Sequence, residues 1–141
     1  MGLWNFVKDA GKSLFGSAEA AEPDAAVLAK EVEELGLDAT GLDISVVDGK
    51  VKVSGDAVSQ EMKEKVILAV GNVEGVAEVE DDVAGVDPVF HTVKKGDTLW
   101  AISAKALGNG ARYEEIFEAN KPMLTHPDKI YPGQVLRIPQ G

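Results

Sequence analysis

Residues 91–103, HTVKKGDTLWAIS, set the reading of the fold. Thr92 and Val93 read as a short strand, Gly96 and Asp97 allow a tight turn, and Asp97 or Thr98 is placed to cap a helix. Leu99, Ile102 and Ala106 recur at helical spacing and are expected to face inward. Gly108-Asn109-Gly110 breaks the chain, after which Tyr113, Ile116 and Phe117 mark the buried side of a second helix ending near Asn120, ahead of Pro122. Tyr131-Pro132-Gly133-Gln134 forms a Pro-Gly turn, and residues 135–138 form a closing strand. Residues 90–139 therefore read strand, helix, helix, strand.

Working back from this unit, residues 87–89 are a short link. Residues 24–35 carry Leu28, Val32 and Leu35 on one helical face, with Gly36 as a stop. Ile44-Ser45-Val46 and Val51-Lys52-Val53 alternate around Asp48-Gly49, a hairpin signal. Ser59 is an N-cap for a helix with Met62, Val66, Ala69 and Val70 inside, ended by Gly71. The turn Asn72-Val73-Glu74-Gly75 leads to a last strand over 76–79, and Asp81-Asp82 reads as a charge pair at its end. The order over 24–86 is helix, strand, strand, helix, strand.

Ahead of a linker at 17–23, Leu3, Trp4, Val7, Ala10, Leu14 and Phe15 fall at helical spacing with Lys8, Asp9 and Lys12 opposite. The expectation is an amphipathic helix over 1–16. It either docks its aromatic stripe on the following domain or lies on a membrane surface, and its near-zero charge favours docking.

The chain has 141 residues and no cysteine, which removes disulfides, thiolate catalysis and Cys-ligated metals. Its two histidines, His91 and His126, lack a metal-ligand spacing. No apolar run approaches the roughly 20 residues that span a bilayer. Lys8, Asp9 and Lys12 interrupt any signal-peptide core, and Phe6 stands where a myristoylation motif wants Ser or Thr, so the reading is a cytoplasmic protein. The net charge of −10 is concentrated: residues 22–86 carry 16 acids against 5 bases, while 87–141 carry 6 acids against 7 bases. An acidic middle speaks against nucleic acid and anionic lipid as partners and suits cations. No nucleophile with a base, no carboxylate pair in a cleft and no phosphate loop is legible, so an enzyme is not expected. Nothing indicates oligomerisation, and a monomer is the expectation.

GDTLW, EAN and IYPGQ-L-IP, in order over 90–139, resemble LysM, a sugar-binding module. VKVSGDA and VGNVEGVAEVEDDV over 24–86 resemble the BON module, on Gly55 after the second strand and Gly75-Val76 entering the third. The resemblances imply an α+β chain of two small domains, BON (αββαβ) then LysM (βααβ), behind the N-terminal helix. If LysM keeps its family's function, a glycan groove would use Gly96, Asp97, Thr98 and Leu99 on one side and Pro122, Met123, Leu124 and Ile130 on the other. The same Gly, Asp and Thr serve turn and cap geometry, and Leu99 and Ile130 equally suit a core.

The pair of modules with the N-terminal stretch is similar to the small cytoplasmic potassium-binding proteins of bacteria, the Kbp family. That resemblance implies reversible potassium binding with a change of shape, an ion sensor in potassium homeostasis and osmotic stress. Potassium is large and singly charged, so neutral backbone carbonyls can replace its water shell. Carbonyls are left over at helix C-termini, which also carry partial negative charge. Two such ends occur here, before Gly11 and at Gly71. The ligand set expected from the resemblance and these glycines is the carbonyls of Val7, Ala10, Gly71, Val73, Gly75 and Val76. LysM, joined by a short link, then serves as a clasp on the ion site. The alternatives are a peptidoglycan-binding envelope protein and a peripheral membrane protein.

Overall fold

The computed structural model describes residues 2–6, 25–47, 50–73, 76, 78–85, 89–121 and 123–139. The first domain is built on a hairpin of β2 (Leu42–Val47) and β3 (Lys50–Gly55), whose register pairs Val47 with Lys50. The hairpin turn, Asp48-Gly49, lies outside the described residues. Strand β3 then pairs in parallel with β4 (Glu78–Val83), and a parallel pair needs a crossover, supplied by α2 (Gln60–Gly71). Helix α1 (Ala25–Glu34) packs beside α2, and both cover one face of the sheet. Val51, Val53, Val79 and Val83 point into that core with Leu28, Val32, Val66 and Val70. The opposite face is wet, and its charges lie beside opposite ones: Lys52 is 3.9 Å from Glu80 and 3.7 Å from Asp82.

The N-terminus departs from expectation. Gly2–Asn5 form a strand, β1, antiparallel to β4, so the sheet order is β1-β4-β3-β2. The expected helix over 1–16 is therefore corrected over its first residues; residues 7–16 lie outside those described. The cause is tertiary. Without β1, strand β4 would be an open edge. Pairing there satisfies the backbone while alternate residues go inside: Leu3 and Asn5 are exposed, Trp4 is half-buried and Phe6 is buried.

Two further corrections come from polar residues turned inward. The first domain's last strand runs Glu78–Val83 rather than 76–79, because Val79, Asp81 and Val83 share the inner face. Asp81 and Asp82 are thus not a strand-end pair: Asp82 faces water, while Asp81 is buried beside buried Lys63, 3.5 Å away. Lys63 also donates to the Val83 carbonyl at 3.2 Å, and the Asp81 carboxylate accepts the Val83 amide at 3.0 Å.

The second domain follows as β5 (Phe90–Thr92), α3 (Leu99–Ala106), a 3-10 turn (Gly110–Arg112), α4 (Tyr113–Ala119) and β6 (Val135–Arg137). Leu99, Ile102, Ile116, Leu124, Leu136 and Ile138 form its core. Ala106, expected inside, is exposed; Ser103 takes the inner position instead, its hydroxyl donating 2.6 Å to the Asn109 carbonyl. Among the described residues no helix is long and apolar enough to cross a membrane.

Candidate functional site

The C-terminal end of α2 is where the chain's separate parts converge. Ser59 caps the start, its hydroxyl accepting the Met62 amide at 3.0 Å. From Val66 to Gly71 every residue is buried, because sheet, α1 and the second domain surround the helix. Gly71 permits a close approach there: a methyl group on it would overlap the Phe6 ring. The N-terminal segment and the end of α2 are thereby in van der Waals contact. The Asn72 amide closes the helix on the Leu68 carbonyl at 3.0 Å, and the Val76 amide then donates to the Val73 carbonyl at 3.1 Å. Val73 and Val76 are both buried.

Of the six expected carbonyl donors, Gly71, Val73 and Val76 lie together in this bend, while Val7, Ala10 and Gly75 fall outside the described residues. The Val73 carbonyl accepts the Val76 amide, and a carbonyl oxygen carries two lone pairs. A helix end adds carbonyls pointing along its axis and partial negative charge. Among the described residues no three His, Asp or Glu side chains gather as metal ligands.

The second domain is docked on the same helix end. The Asn72 carboxamide makes two hydrogen bonds to the Val135 backbone: Nδ2 donates to its carbonyl at 2.8 Å, and Oδ1 accepts its amide at 3.0 Å. Eight positions earlier on α2, buried Glu64 accepts from Arg137 Nε at 2.7 Å and from Gln60 at 2.6 Å. Val135 belongs to the first domain's core, with Phe90 and Met123 packed against it. Phe90 also meets Trp4, ring centroids 4.7 Å apart. Glu64 and Phe90 were not singled out from the sequence, and Trp4 and Met123 were assigned other roles. Asn72 was read only as a turn residue and Arg137 only as part of a strand.

The expected glycan residues separate by role. Gly96, at φ +90°, forms the turn in which the Asp97 amide donates to Lys94. The Asp97 carboxylate accepts the Lys94 amide at 2.9 Å and meets His91 Nε2 at 3.1 Å. Those two contacts, the backbone one first, hold its pKa below the usual carboxylate value. Thr98 caps α3 through the Ala101 amide at 3.1 Å. Leu99 and Leu124 are core, Ile130 packs on that core, and Met123 faces the first domain. Pro122 lies outside the described residues.

A groove of about 520 Å³ does open here, lined by Thr98, Leu99, Trp100, Tyr113, His126, Pro127 and Asp128. Of the expected set, among the described residues, Thr98 and Leu99 reach it. Trp100, 57% exposed, was the missed signal: a large aromatic on the outer side of an amphipathic helix, tilted against Tyr113 at 6.1 Å.

Residues 91–139 match the family model of the LysM domain, and residues 21–86 match that of the BON domain. The chain is 53% identical over 149 aligned positions to the potassium binding protein Kbp of Escherichia coli O6:H1, covering 99% of each chain. It is 39% identical over 62 positions to the uncharacterized protein YqbP of Bacillus subtilis, covering 38% of this chain and 28% of that one. An uncharacterized protein of Deinococcus radiodurans is 37% identical over 89 positions, 63% of this chain and 29% of its own length.

Proposed function

The chain belongs to the family of the potassium binding protein Kbp, and from that membership we propose that it binds potassium reversibly as a cytoplasmic, monomeric ion sensor. The ion is held by main-chain oxygens of Val7, Ala10, Gly71, Val73, Gly75 and Val76. The observation that carries this reading is the Phe6 ring seated on Gly71, which joins the N-terminal segment to the end of α2. An uncharged carbonyl socket suits a large monovalent cation. A cage for calcium or magnesium would instead need gathered carboxylates, and among the described residues none gather. The net charge of −11 over residues 22–86 raises the local concentration of any cation, and the socket makes the choice among them. LysM, seated on α2, stiffens the occupied form.

Melting curves in KCl, NaCl and LiCl at matched ionic strength test the proposal. Matching is needed because any salt relieves repulsion in the acidic domain. At a potassium concentration about 100 times the dissociation constant, roughly 2.7 kcal/mol of extra stability is expected. Three superimposed curves would end the proposal.

Exposed Trp100 beside the groove supports a second activity, residual affinity of LysM for aminosugar chains. Tryptophan fluorescence titrated with chitin oligosaccharides tests it; a flat titration removes it.

A further inference from the structure

Strand β6 belongs to a two-stranded sheet, and its residues alternate between two edges. The Gln134 carbonyl accepts the Val93 amide at 2.8 Å and the Ile138 amide donates to Val89 at 3.0 Å, so these residues turn toward β5. Val135 and Arg137 turn the other way, onto an edge where no strand pairs among the described residues. Two carboxamides complete that edge. Asn120, the C-cap of α4, accepts the Arg137 amide at 2.6 Å and donates to its carbonyl at 2.9 Å. Asn72, the C-cap of α2, does the same for Val135 from the other domain. Val135 is 3% exposed, so its amide and carbonyl depend on Asn72 in place of water.

We propose that Asn72 is a positioning residue for the ion site: its carboxamide ties the bend at the end of α2 to β6, so that potassium affinity and LysM docking are coupled. The inference rests on the potassium-binding reading above. Asn72 stands between Gly71 and Val73, two of the proposed carbonyl donors, and a dihedral change at either one moves its side chain. Hydrogen bonds weaken steeply with misalignment. A bend drawn around an ion and a bend without one therefore hold Val135 unequally well. Any such difference acts in both directions, because coupling between two binding events is reciprocal. Arg137 on Glu64, two turns back along α2, anchors the rest of β6. It leaves Asn72 as the contact nearest the bend.

The test compares the full chain with Asn72→Ala and with Ser59→Ala, which weakens the opposite end of the same helix. Calorimetric titration with KCl at constant ionic strength gives the affinity, and hydrogen exchange at the Val135 amide, in potassium and in lithium, gives the docking. Asn72→Ala is expected to weaken potassium binding about tenfold, within the usual range of coupling between sites. Ser59→Ala is expected to lower the melting temperature with less than about a twofold change in affinity. In the parent chain Val135 exchange slows in potassium relative to lithium. If Asn72→Ala binds potassium as the parent does, or if both variants lose affinity in proportion to lost stability, the coupling is overturned and the function reading stands. If the parent binds no potassium, that reading falls and takes the inference with it.

Discussion

Asn72 and Asn120 grip alternate residues of one strand edge, Val135 and Arg137, although they cap helices in different domains. The β6 edge is thereby half interdomain seam and half internal LysM bracing. Asn120 is the internal half, 2% exposed and bonded also to the Ile116 carbonyl at 2.7 Å. Asn120→Ala removes the side-chain partner of the buried Ile116 carbonyl and of the part-buried Arg137 amide and carbonyl. It should cost about 2–4 kcal/mol, at about 1–3 kcal/mol for a stranded buried group with partial relief by water. Urea unfolding followed by Trp100 fluorescence measures this, and a loss near zero would mean the edge is satisfied otherwise.

Gly71 carries the contact with the N-terminal segment. Gly71→Ala forces the Phe6 ring off α2. Overpacking of this kind costs about 1–3 kcal/mol, and the specific stabilisation by potassium is expected to vanish with it. Phe6→Ala is the companion: it removes the ring without crowding, so loss of the potassium effect in both variants points to the contact rather than to strain. An undiminished potassium effect in both contradicts the assignment.

The pair of Lys63 and Asp81 holds two charges inside an apolar core. Their separation of 3.5 Å is coulombic contact, since among the described residues Asp81 Oδ2 accepts no hydrogen bond. Removing one partner of a buried pair costs about 3–5 kcal/mol, whereas exchanging both for apolar residues is often neutral. Asp81→Ala should therefore destabilise strongly, and Lys63→Met with Asp81→Leu should recover most of the loss. Thermal denaturation of the single and double variants decides it; a double variant as unstable as the single would show that the other contacts of Lys63 matter more.

Asp97 makes the LysM turn sensitive to acid. Its pKa is lowered in the fold by the Lys94 amide and by His91. The unfolded chain thus binds its proton more readily, so the stabilisation is complete above the unfolded carboxylate value of roughly 3.9 and is lost as pH falls through the lower folded value. Denaturation midpoints taken between about pH 6 and pH 3 should fall more steeply in the parent than in Asp97→Asn, because only the parent loses this contribution. Parallel slopes would contradict it.

What could be read from the sequence was local. The LysM turn, its Thr98 cap and the Ser59 cap depend on residues within three positions of one another, and each formed as expected in type. The hairpin strands likewise follow from short-range alternation. The misreadings share another cause. Leu3, Trp4 and Phe6 are too few to separate a helical period from a strand's, and the edge of β4 that decided between them is more than 70 residues away in the pairing of Leu3 with Glu80. Inward Asp81 broke the apolar alternation that would have marked β4. The interdomain seam joins residues 63 apart at Asn72 and Val135 and 73 apart at Glu64 and Arg137, beyond any local pattern. That α2 ends at Gly71 was legible from the glycine; that Phe6 and Val135 pack and bond at that end was not.

Crystals of the full chain grown in abundant potassium, with anomalous scattering used to locate the ion, test the socket most directly. The account predicts one potassium ion at the end of α2, ringed by carbonyl oxygens of the 71–76 bend and of residues 7 and 10, and its replacement by rubidium but not by lithium. An ion bound by carboxylates elsewhere, or no ion between those two segments, would contradict it.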